Sequence, residues 1–242
     1  MYGIIPLAGF GTRFAGRGWD VPKPLIEVLG KPMLYYSVAS LPLLNFTETI
    51  FVMRDDEFAD QLQERIEHLF GGIKWSVIRL PFATSGQAET VYLATEKIPR
   101  NAPIVIHNGD TAFNAHFDKD FFKGNNLLLF KDSDPRWSFA RLDGNRNVVE
   151  TAEKIAISDF ASTGTYSFES AGLYREIYRE GLDRVSSERY IAPMFNRLIS
   201  MGLKVGSEVA NQVFCMGTPE DLNETLVHLK KWERNSQILQ LP

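Results

Sequence analysis

Hydrophobic and polar positions in the first half of the chain alternate between short apolar runs and longer amphipathic segments. Residues 55–70 carry Phe58, Leu62, Ile66 and Leu69, spaced by four, four and three positions, as on the apolar face of a helix. The short runs between such segments are apolar throughout, which is typical of strands that are covered on both faces. The pattern predicts strands over 3–7, 49–53, 74–80 and 103–107, and helices over 32–41, 55–70 and 88–98.

This order of elements predicts a parallel sheet with helices on both faces. Ligands of such sheets bind at the carboxyl ends of the strands, where residues 8–13 and 108–110 fall. The hydrophobic pattern changes after residue 110, where apolar runs become shorter and Asp143-Gly144-Asn145 marks a turn. We expect strands over 126–131, 137–142 and 148–151, and helices over 167–179, 190–201 and 219–232.

The whole chain, 1–242, is therefore expected to form a single α/β domain. Its predicted architecture is a three-layer, Rossmann-like fold, in which a mixed, mostly parallel sheet carries helices on both faces and an inserted β-hairpin. No internal repeat, low-complexity tract or linker rich in proline, glycine and serine divides the sequence.

Composition and charge exclude several classes of protein. With 26 basic and 30 acidic residues, the net charge is −4, so no general positive field would hold a nucleic acid. The single cysteine excludes an internal disulfide and a cysteine-rich zinc site. No apolar run approaches the roughly 20 residues of a membrane span, and the N-terminus lacks the charged start of a signal peptide. We expect a cytoplasmic protein with no membrane partner.

A glycine-containing loop follows the first predicted strand. Gly9 and Gly11 allow a tight turn that points consecutive backbone N–H groups at an anion. Arg13 adds a guanidinium suited to phosphate, and Lys23 is fixed between two prolines. Taken alone, these residues also fit an ordinary strand-to-helix turn with surface cations.

Two familiar phosphate-binding loops do not match this segment. The dinucleotide fingerprint requires a third glycine where the chain has Phe14, and an acidic residue near position 29, which is Leu29. The G-x-x-x-x-G-K-[ST] loop of many nucleotide hydrolases is absent as well.

The segment resembles the nucleotidyltransferases that activate sugar phosphates, the nucleoside-diphosphate-sugar pyrophosphorylases. Their motif is A-G-x-G-[TS]-R followed by P-K-P, which reads here as residues 8–13 and 22–24. The resemblance implies that Arg13 and Lys23 contact the triphosphate and the departing pyrophosphate. It also implies nucleotide binding by Leu7, Ala8, Gly9, Gly11 and Thr12.

Two further segments match the same family. The loop at 84–91 resembles its second nucleotide element, which implies nucleotide binding by Ser85, Gly86 and Gln87; alternatively, Ser85 is simply the N-cap of a helix.

The run at 104–110 ends in Gly109 and Asp110, and the resemblance implies that Gly109 binds nucleotide and that Asp110 binds Mg²⁺. One carboxylate suffices, because Mg²⁺ takes few protein ligands when substrate oxygens complete its shell. Alternatively, Asp110 caps the following turn. His107 is interpreted as a packed strand-end side chain rather than a base.

Matches in the second half concern the acceptor of the transferred group. Glu153-Lys154, the stretch 161–168 and the stretch 187–193 resemble family elements, which implies that Lys154, Gly164 and Tyr190 bind the acceptor. One position departs from the pattern: Cys215 stands where the family commonly has a second, aspartate ligand for Mg²⁺, and a thiol is a poor ligand for that hard cation.

The resemblance implies transfer of a nucleoside monophosphate from a nucleoside triphosphate to a phosphorylated acceptor, most simply a sugar 1-phosphate, with release of pyrophosphate. Residues 1–110 would form the nucleotide-binding half and 111–242 the acceptor-binding half, in a short form without the C-terminal β-helix of longer members. Such activity serves the synthesis of nucleotide sugars and polysaccharides. Two alternatives stay open, a cytidylyltransferase for a non-sugar phosphate and a non-catalytic nucleotide-sugar-binding protein. The base, the acceptor and any homo-oligomer are not specified.

Overall fold

A computed structural model of the chain describes residues 1–9, 14, 18, 21–117, 120–181 and 189–235. The strands of this described part are β1 Tyr2–Pro6, β2 Glu27–Val28, β3 Lys31–Pro32, β4 Glu48–Arg54, β5 Trp75–Leu80, β6 Ile104–His107, β7 Thr111–Asn114, β8 Asn126–Lys131, β9 Ser138–Leu142, β10 Val148–Glu153, β11 Phe160–Phe168, β12 Gly206–Val209 and β13 Gln212–Cys215. The α-helices are α1 Met33–Ala39, α2 Ala59–Phe70, α3 Gln87–Thr95, α4 Ala171–Glu180, α5 Phe195–Ser200 and α6 Pro219–Asn235.

Nine strands form one mixed sheet, whose main path runs β10-β9-β11-β6-β1-β4-β5, with β8 paired to β11 and β12. The strands β6, β1, β4 and β5 are mutually parallel, as expected for strands joined by crossover helices. The strand β9 pairs antiparallel with β10 and β11, and β11 also pairs antiparallel with β8 and β6. The predicted mixed α/β architecture is confirmed.

Alternate residues of the central strands bury their side chains on opposite faces of the sheet. On one face, Ile4 and Val52 belong to the core packed under α3, α4 and α5. On the other face, Ile5 and Phe51 pack under α1 and α2. All four side chains are fully buried, which explains the continuous apolar runs in the sequence. A third cluster holds α6 against β13 and α1.

The predicted strands and helices of the first half are confirmed to within a few residues, with one clear shift. The helix predicted over 55–70 begins at Ala59, because the Asp56 carboxylate accepts a hydrogen bond from Phe58 N at 3.1 Å and holds a turn before the helix.

The second half differs more from its prediction. The helix predicted over 167–179 begins at Ala171, after the long strand β11, because Ser170 caps it by accepting a bond from Leu173 N at 3.1 Å. The helix predicted over 190–201 is a short 3-10 turn, Ala192–Met194, followed by α5. The strands β2, β3, β7, β12 and β13 were not predicted.

The pairing of β13 with β7 brings the end of the chain to the carboxyl end of β6. Cys215 stands opposite Thr111 in this ribbon, and Met216 N donates to Asp110 O at 2.9 Å. In the described residues, no helix has the length and apolar character that a membrane crossing requires.

Candidate active site

A cleft of about 1390 Å³ opens where β1, β4 and β6 end. Side chains from both halves of the chain line it, as expected for the ligand site of an open α/β sheet. Most of the predicted site residues are brought together in its wall, namely Leu7, Ala8, Gly9, Lys23, Ser85, Gly86, Gln87, Gly109, Asp110, Lys154, Gly164 and Tyr190. The predicted residues Gly11, Thr12 and Arg13 lie outside the described residues.

An ion pair between Lys23 and Asp110 occupies one side of the cleft. Lys23 opens a 3-10 turn after Pro22, and Asp110 follows the end of β6. Burial opposes ionisation of Asp110, but the Lys23 ammonium, together with a 3.3 Å bond from the Thr111 hydroxyl, brings the pKa of this carboxyl below its ordinary value. Asp110 is therefore ionised at neutral pH, with its side chain 26% exposed to the cleft.

His107 lies beneath this pair and is fully buried. Its Nε2 lies 2.8 Å from Thr111 O and its Nδ1 lies 2.8 Å from Thr165 Oγ1. Since a carbonyl oxygen only accepts, Nε2 carries the proton and Nδ1 accepts from the threonine hydroxyl. Burial lowers the pKa of His107 to about 4, so the ring is neutral. It is a packed side chain, as predicted, and its nitrogens face the protein.

The loop before α3 has a different cap from the one considered in the sequence. Gly86, with φ of 149°, is the N-cap residue, and no side chain caps the helix, so Ser85 is not the N-cap. Instead, Ser85 N donates to the Glu89 carboxylate in the first turn of α3. This arrangement leaves the Ser85 side chain in the wall of the cleft.

The same loop is fastened to a segment from the second half of the chain. Arg189 N donates to Ser85 O, and Ala88 N donates to Arg189 O, both at 3.0 Å. A Cβ at Gly86 would lie 2.6 Å from the backbone N and O of Arg189. The close passage of another chain segment therefore requires glycine at position 86.

Asn108 joins the two halves on the floor of the cleft. Its side-chain oxygen accepts from Gln87 Nε2, and its backbone N donates to Gly164 O at 3.2 Å. Gly164 has φ of 78°, and a Cβ there would overlap the Asn108 side chain. Only glycine satisfies both conditions at this position of β11.

Lys154 enters the cleft from a strained backbone. Its φ of 56° is unusual for a residue with a side chain, and such strain often marks a functional position. Its backbone N donates to Trp137 O at 3.0 Å, which continues the β9–β10 ladder. Its ammonium donates to the Tyr190 hydroxyl and lies 4.6 Å from the centre of that ring.

The structure adds a cation that sequence reasoning missed. Arg136, in the loop between β8 and β9, pairs with Asp221 at 2.6 Å and stacks 4.2 Å from the Trp137 ring centre. Both Arg136 and Asp221 line the cleft beside Cys215. A lone arginine in a loop gives no sequence signal, and its place depends on α6, which is distant in the chain.

Cys215 is protonated at neutral pH. Burial, together with the negative charges of Asp221 and Asp110, raises the pKa of the thiol to about 12. Within the part of the chain that the structure describes, no three histidine, cysteine, aspartate or glutamate side chains form a group that could hold a metal ion.

The described cleft wall contains four cationic side chains, Lys23, Arg54, Arg136 and Lys154. They come from separate elements and converge on one cavity of a chain whose net charge is −4. The same wall carries the carboxylates of Asp56, Asp110, Glu153 and Asp221, so the cations would act on a ligand as individual contacts and not as a net positive field. The arrangement suits a ligand with several phosphate charges.

Comparison with known proteins places these features in a family. The family model described as nucleotidyl transferase matches residues 2–231. A solved structure of the nucleoside-diphosphate-sugar pyrophosphorylase from Vibrio cholerae RC9 superposes with a TM-score of 0.83 and 32% identity, covering 93% of this chain and 99% of that one.

Curated relatives are more distant. A glucose-1-phosphate thymidylyltransferase from an Actinoplanes species is 28% identical over 176 residues, which are 71% of this chain and 50% of the relative. The bifunctional protein GlmU of Aliarcobacter butzleri is 27% identical over 219 residues, 86% of this chain and 48% of the relative. The chain thus spans about half the length of these two curated relatives.

Proposed function

The chain belongs to the nucleotidyl transferase family, and from this premise we propose that it transfers a nucleoside monophosphate from a nucleoside triphosphate to a sugar 1-phosphate, releasing pyrophosphate. The observation that carries the proposal is the Lys23–Asp110 ion pair at the carboxyl end of β6, inside a cleft with four cationic side chains. The name of the Vibrio cholerae relative, a nucleoside-diphosphate-sugar pyrophosphorylase, supports a sugar acceptor.

The proposal divides the cleft into two sides. The nucleotide binds along the loop after β1 and the loop before α3, through Leu7, Ala8, Gly9, Gly11, Thr12, Ser85, Gly86, Gln87 and Gly109. Arg13 and Lys23 hold the triphosphate and the departing pyrophosphate. On the opposite side Lys154 binds the acceptor phosphate, with Gly164 and Tyr190 beside the acceptor. The strain at Lys154 and its bond to Tyr190 support this assignment, since they fix where the ammonium points.

In the proposed reaction an oxygen of the acceptor phosphate attacks the α-phosphorus of the nucleotide. The bond from that phosphorus to the bridging oxygen breaks, and its electrons leave with pyrophosphate. The attacking oxygen is already ionised, so no general base is required, which agrees with a His107 whose ring nitrogens are both engaged. This chain contributes alignment and positive charge, which in phosphoryl transfer carry nearly all of the catalysis.

The residues present fit a magnesium ion that one protein carboxylate and substrate oxygens hold together. Asp110 would hold the ion, because it is ionised and faces the cleft, whereas Cys215 is a protonated thiol. The bound ion would supply positive charge at the α-phosphate. We also propose that the protein is cytoplasmic and that its product is used in polysaccharide synthesis. The single free cysteine supports a reducing compartment.

The proposal is tested by incubating the protein with Mg²⁺, each of five triphosphates (ATP, CTP, GTP, UTP, dTTP) and a panel of hexose 1-phosphates, phosphocholine and phosphoserine. Pyrophosphate release is followed, and the masses of the products are measured by mass spectrometry. We expect release with a hexose 1-phosphate and a product whose mass is that of the nucleoside diphosphate sugar. Release only with CTP and a non-sugar phosphate, or no release with any pair, would contradict the proposal.

A further inference from the structure

We propose that Arg136 is a second cation for the acceptor's phosphate and acts together with Lys154. The inference rests on the proposed function and adds a second protein contact to the phosphate monoester of its acceptor. It assigns a binding role to a loop residue that none of the sequence motifs contains.

Arg136 is held rigidly from two directions. Its Nη1 lies 2.6 Å from the Asp221 carboxylate, whose side chain is only 6% exposed, and its Nε lies 3.3 Å from Asp134. Asp221 is itself fixed in the first turn of α6, where its backbone N donates to Thr218 Oγ1 at 3.1 Å. The guanidinium carbon also lies over the Trp137 ring, 4.2 Å from its centre. A cation fixed in this way loses little freedom when it binds an anion.

The guanidinium keeps capacity for a ligand. The contacts to Asp221 and Asp134 are made by Nη1 and Nε, not by Nη2. The Arg136 side chain is 41% exposed and lines the cleft. A guanidinium presents several N–H groups in one plane, which suits two oxygens of one phosphate.

A second observation at the same place also indicates a ligand. Trp137, which lines the cleft, has a buried Nε1 without a hydrogen-bond partner in the described part of the chain. An indole N–H only donates, and buried donors are rarely left unpaired in native proteins. This N–H has no accessible surface in the present conformation, so the indole would have to turn toward the cleft to donate to a phosphate oxygen beside Arg136.

The strand register brings the start of β9, which follows Arg136 and Trp137, alongside the end of β10, which precedes Lys154. Glu153 pairs with Ser138 across β10 and β9, and the next bond of the ladder runs from Lys154 N to Trp137 O. Arg136 is therefore the neighbour of the residue that faces Lys154. The two cations enter the cleft from adjacent strand ends, whereas Lys23 enters from the nucleotide loops.

A purely structural role of Arg136 would lead to different results in its variants. The Arg136–Asp221 pair also joins the β8–β9 loop to α6, and both residues line a second, smaller cavity behind the cleft. If the pair served only to hold this loop, Arg136→Gln and Asp221→Asn would lower the melting temperature equally and would weaken both substrates together.

The test compares Arg136→Gln, Arg136→Lys and Asp221→Asn with the control Arg197→Gln, whose arginine forms a similar 2.6 Å pair with Glu180 outside the cleft wall. The acceptor that gives the highest rate with the wild-type protein is used. Loss of a charged hydrogen bond predicts a KM for that acceptor raised about tenfold or more in Arg136→Gln, with the KM for the triphosphate within about twofold. Arg136→Lys should be intermediate and Asp221→Asn milder, because each keeps a cation near the site.

An acceptor KM that stays at the wild-type value in Arg136→Gln, or equal rises for both substrates, would overturn the inference. Inorganic phosphate, titrated calorimetrically, is a probe that does not require turnover. Its dissociation constant should rise in Arg136→Gln and stay unchanged in Arg197→Gln. Should the wild-type protein release no pyrophosphate with any substrate pair, the proposed function fails, and equal phosphate affinity of wild type and Arg136→Gln would separately refute the role of Arg136.

Discussion

Lys23 and Asp110 stand 87 positions apart in the sequence, and the fold sets the ammonium of one against the carboxylate of the other. Lys23 is held by a proline-flanked turn and Asp110 by the end of a buried strand, so neither position depends on the other side chain. The pair lowers the pKa of Asp110 despite its burial. The cleft therefore contains a fixed negative charge beside a fixed positive one, before any substrate binds.

Lys23→Ala should lower turnover at least about tenfold while the protein remains folded. A contact that strengthens as charge moves to the departing pyrophosphate contributes roughly 1.4 kcal/mol or more to lowering the barrier. The measurement is kcat/KM from pyrophosphate release, with the melting temperature as a check on folding. Lys123→Ala is the matched control, since Lys123 pairs with Asp120 at 2.7 Å and does not line the cleft. An unchanged kcat/KM would remove Lys23 from the reaction.

Lys154→Ala should weaken binding of the phosphorylated acceptor and spare the triphosphate. The reason is its place directly after β10 and beside Tyr190, on elements separate from those that carry the nucleotide loops. Calorimetric titration of each substrate separately measures the two affinities. Equal losses for both would mean that the two sides of the cleft are not divided as proposed.

His107 should make the free energy of unfolding depend on pH. Its pKa falls from 6.5 to about 4 in the folded protein, so between these values the unfolded chain binds a proton that the folded chain does not. Stability is full above pH 6.5 and is lost as the pH falls toward 4, by roughly 3 kcal/mol for this group. Asp110, whose charge faces His107, has its pKa below 3.8, so its own protonation affects the free energy of unfolding only at lower pH.

Two measurements check this prediction. The ring of His107, followed by NMR, should stay neutral at pH 5.5, and a ring that titrates near pH 6.5 would contradict the burial argument. Urea unfolding at pH 7 and pH 4 should lose less stability in His107→Gln than in the wild-type protein, because glutamine does not titrate.

Cys215→Ser should leave turnover within about twofold of the wild-type value, because one neutral, small side chain replaces another. The pKa of about 12 also means that almost no thiolate exists at neutral pH. Alkylation by iodoacetamide at pH 7.5 should therefore be much slower for Cys215 than for free cysteine. Fast alkylation, or an inactive Cys215→Ser protein, would show that the thiol takes part in the site.

Regular periodicity explains which elements could be predicted from the sequence. The strand β8, Asn126–Lys131, has the predicted bounds, and α2 was shifted only at its start, because local spacing determines both. The strand β13 has only four residues, and its existence depends on pairing with β7. That pairing places Cys215 beside Asp110, a relationship that no local pattern contains.

The candidate site also contains residues that could be predicted from the sequence and one that could not. Motif spacing was sufficient to bring Lys23, Asp110 and Lys154 into consideration, and the structure places all three in one cleft. Arg136 was missed because its position depends on Asp221, which becomes a neighbour only after α6 packs against the sheet. Contacts between distant segments determine the positions of such residues, and local sequence patterns do not contain those contacts.

The assignment of the reaction centre to Asp110 is tested most directly by the rate of pyrophosphate release from the wild-type protein and from Asp110→Asn, each with Mg²⁺ and with excess EDTA. Asparagine keeps the shape of the side chain and removes the charge that would hold the cation. We expect wild-type release to stop in EDTA and to return with Mg²⁺. We also expect the rate of folded Asp110→Asn to be lower by about a hundredfold or more. Full activity in excess EDTA, or an Asp110→Asn protein that works at the wild-type rate, would contradict the assignment.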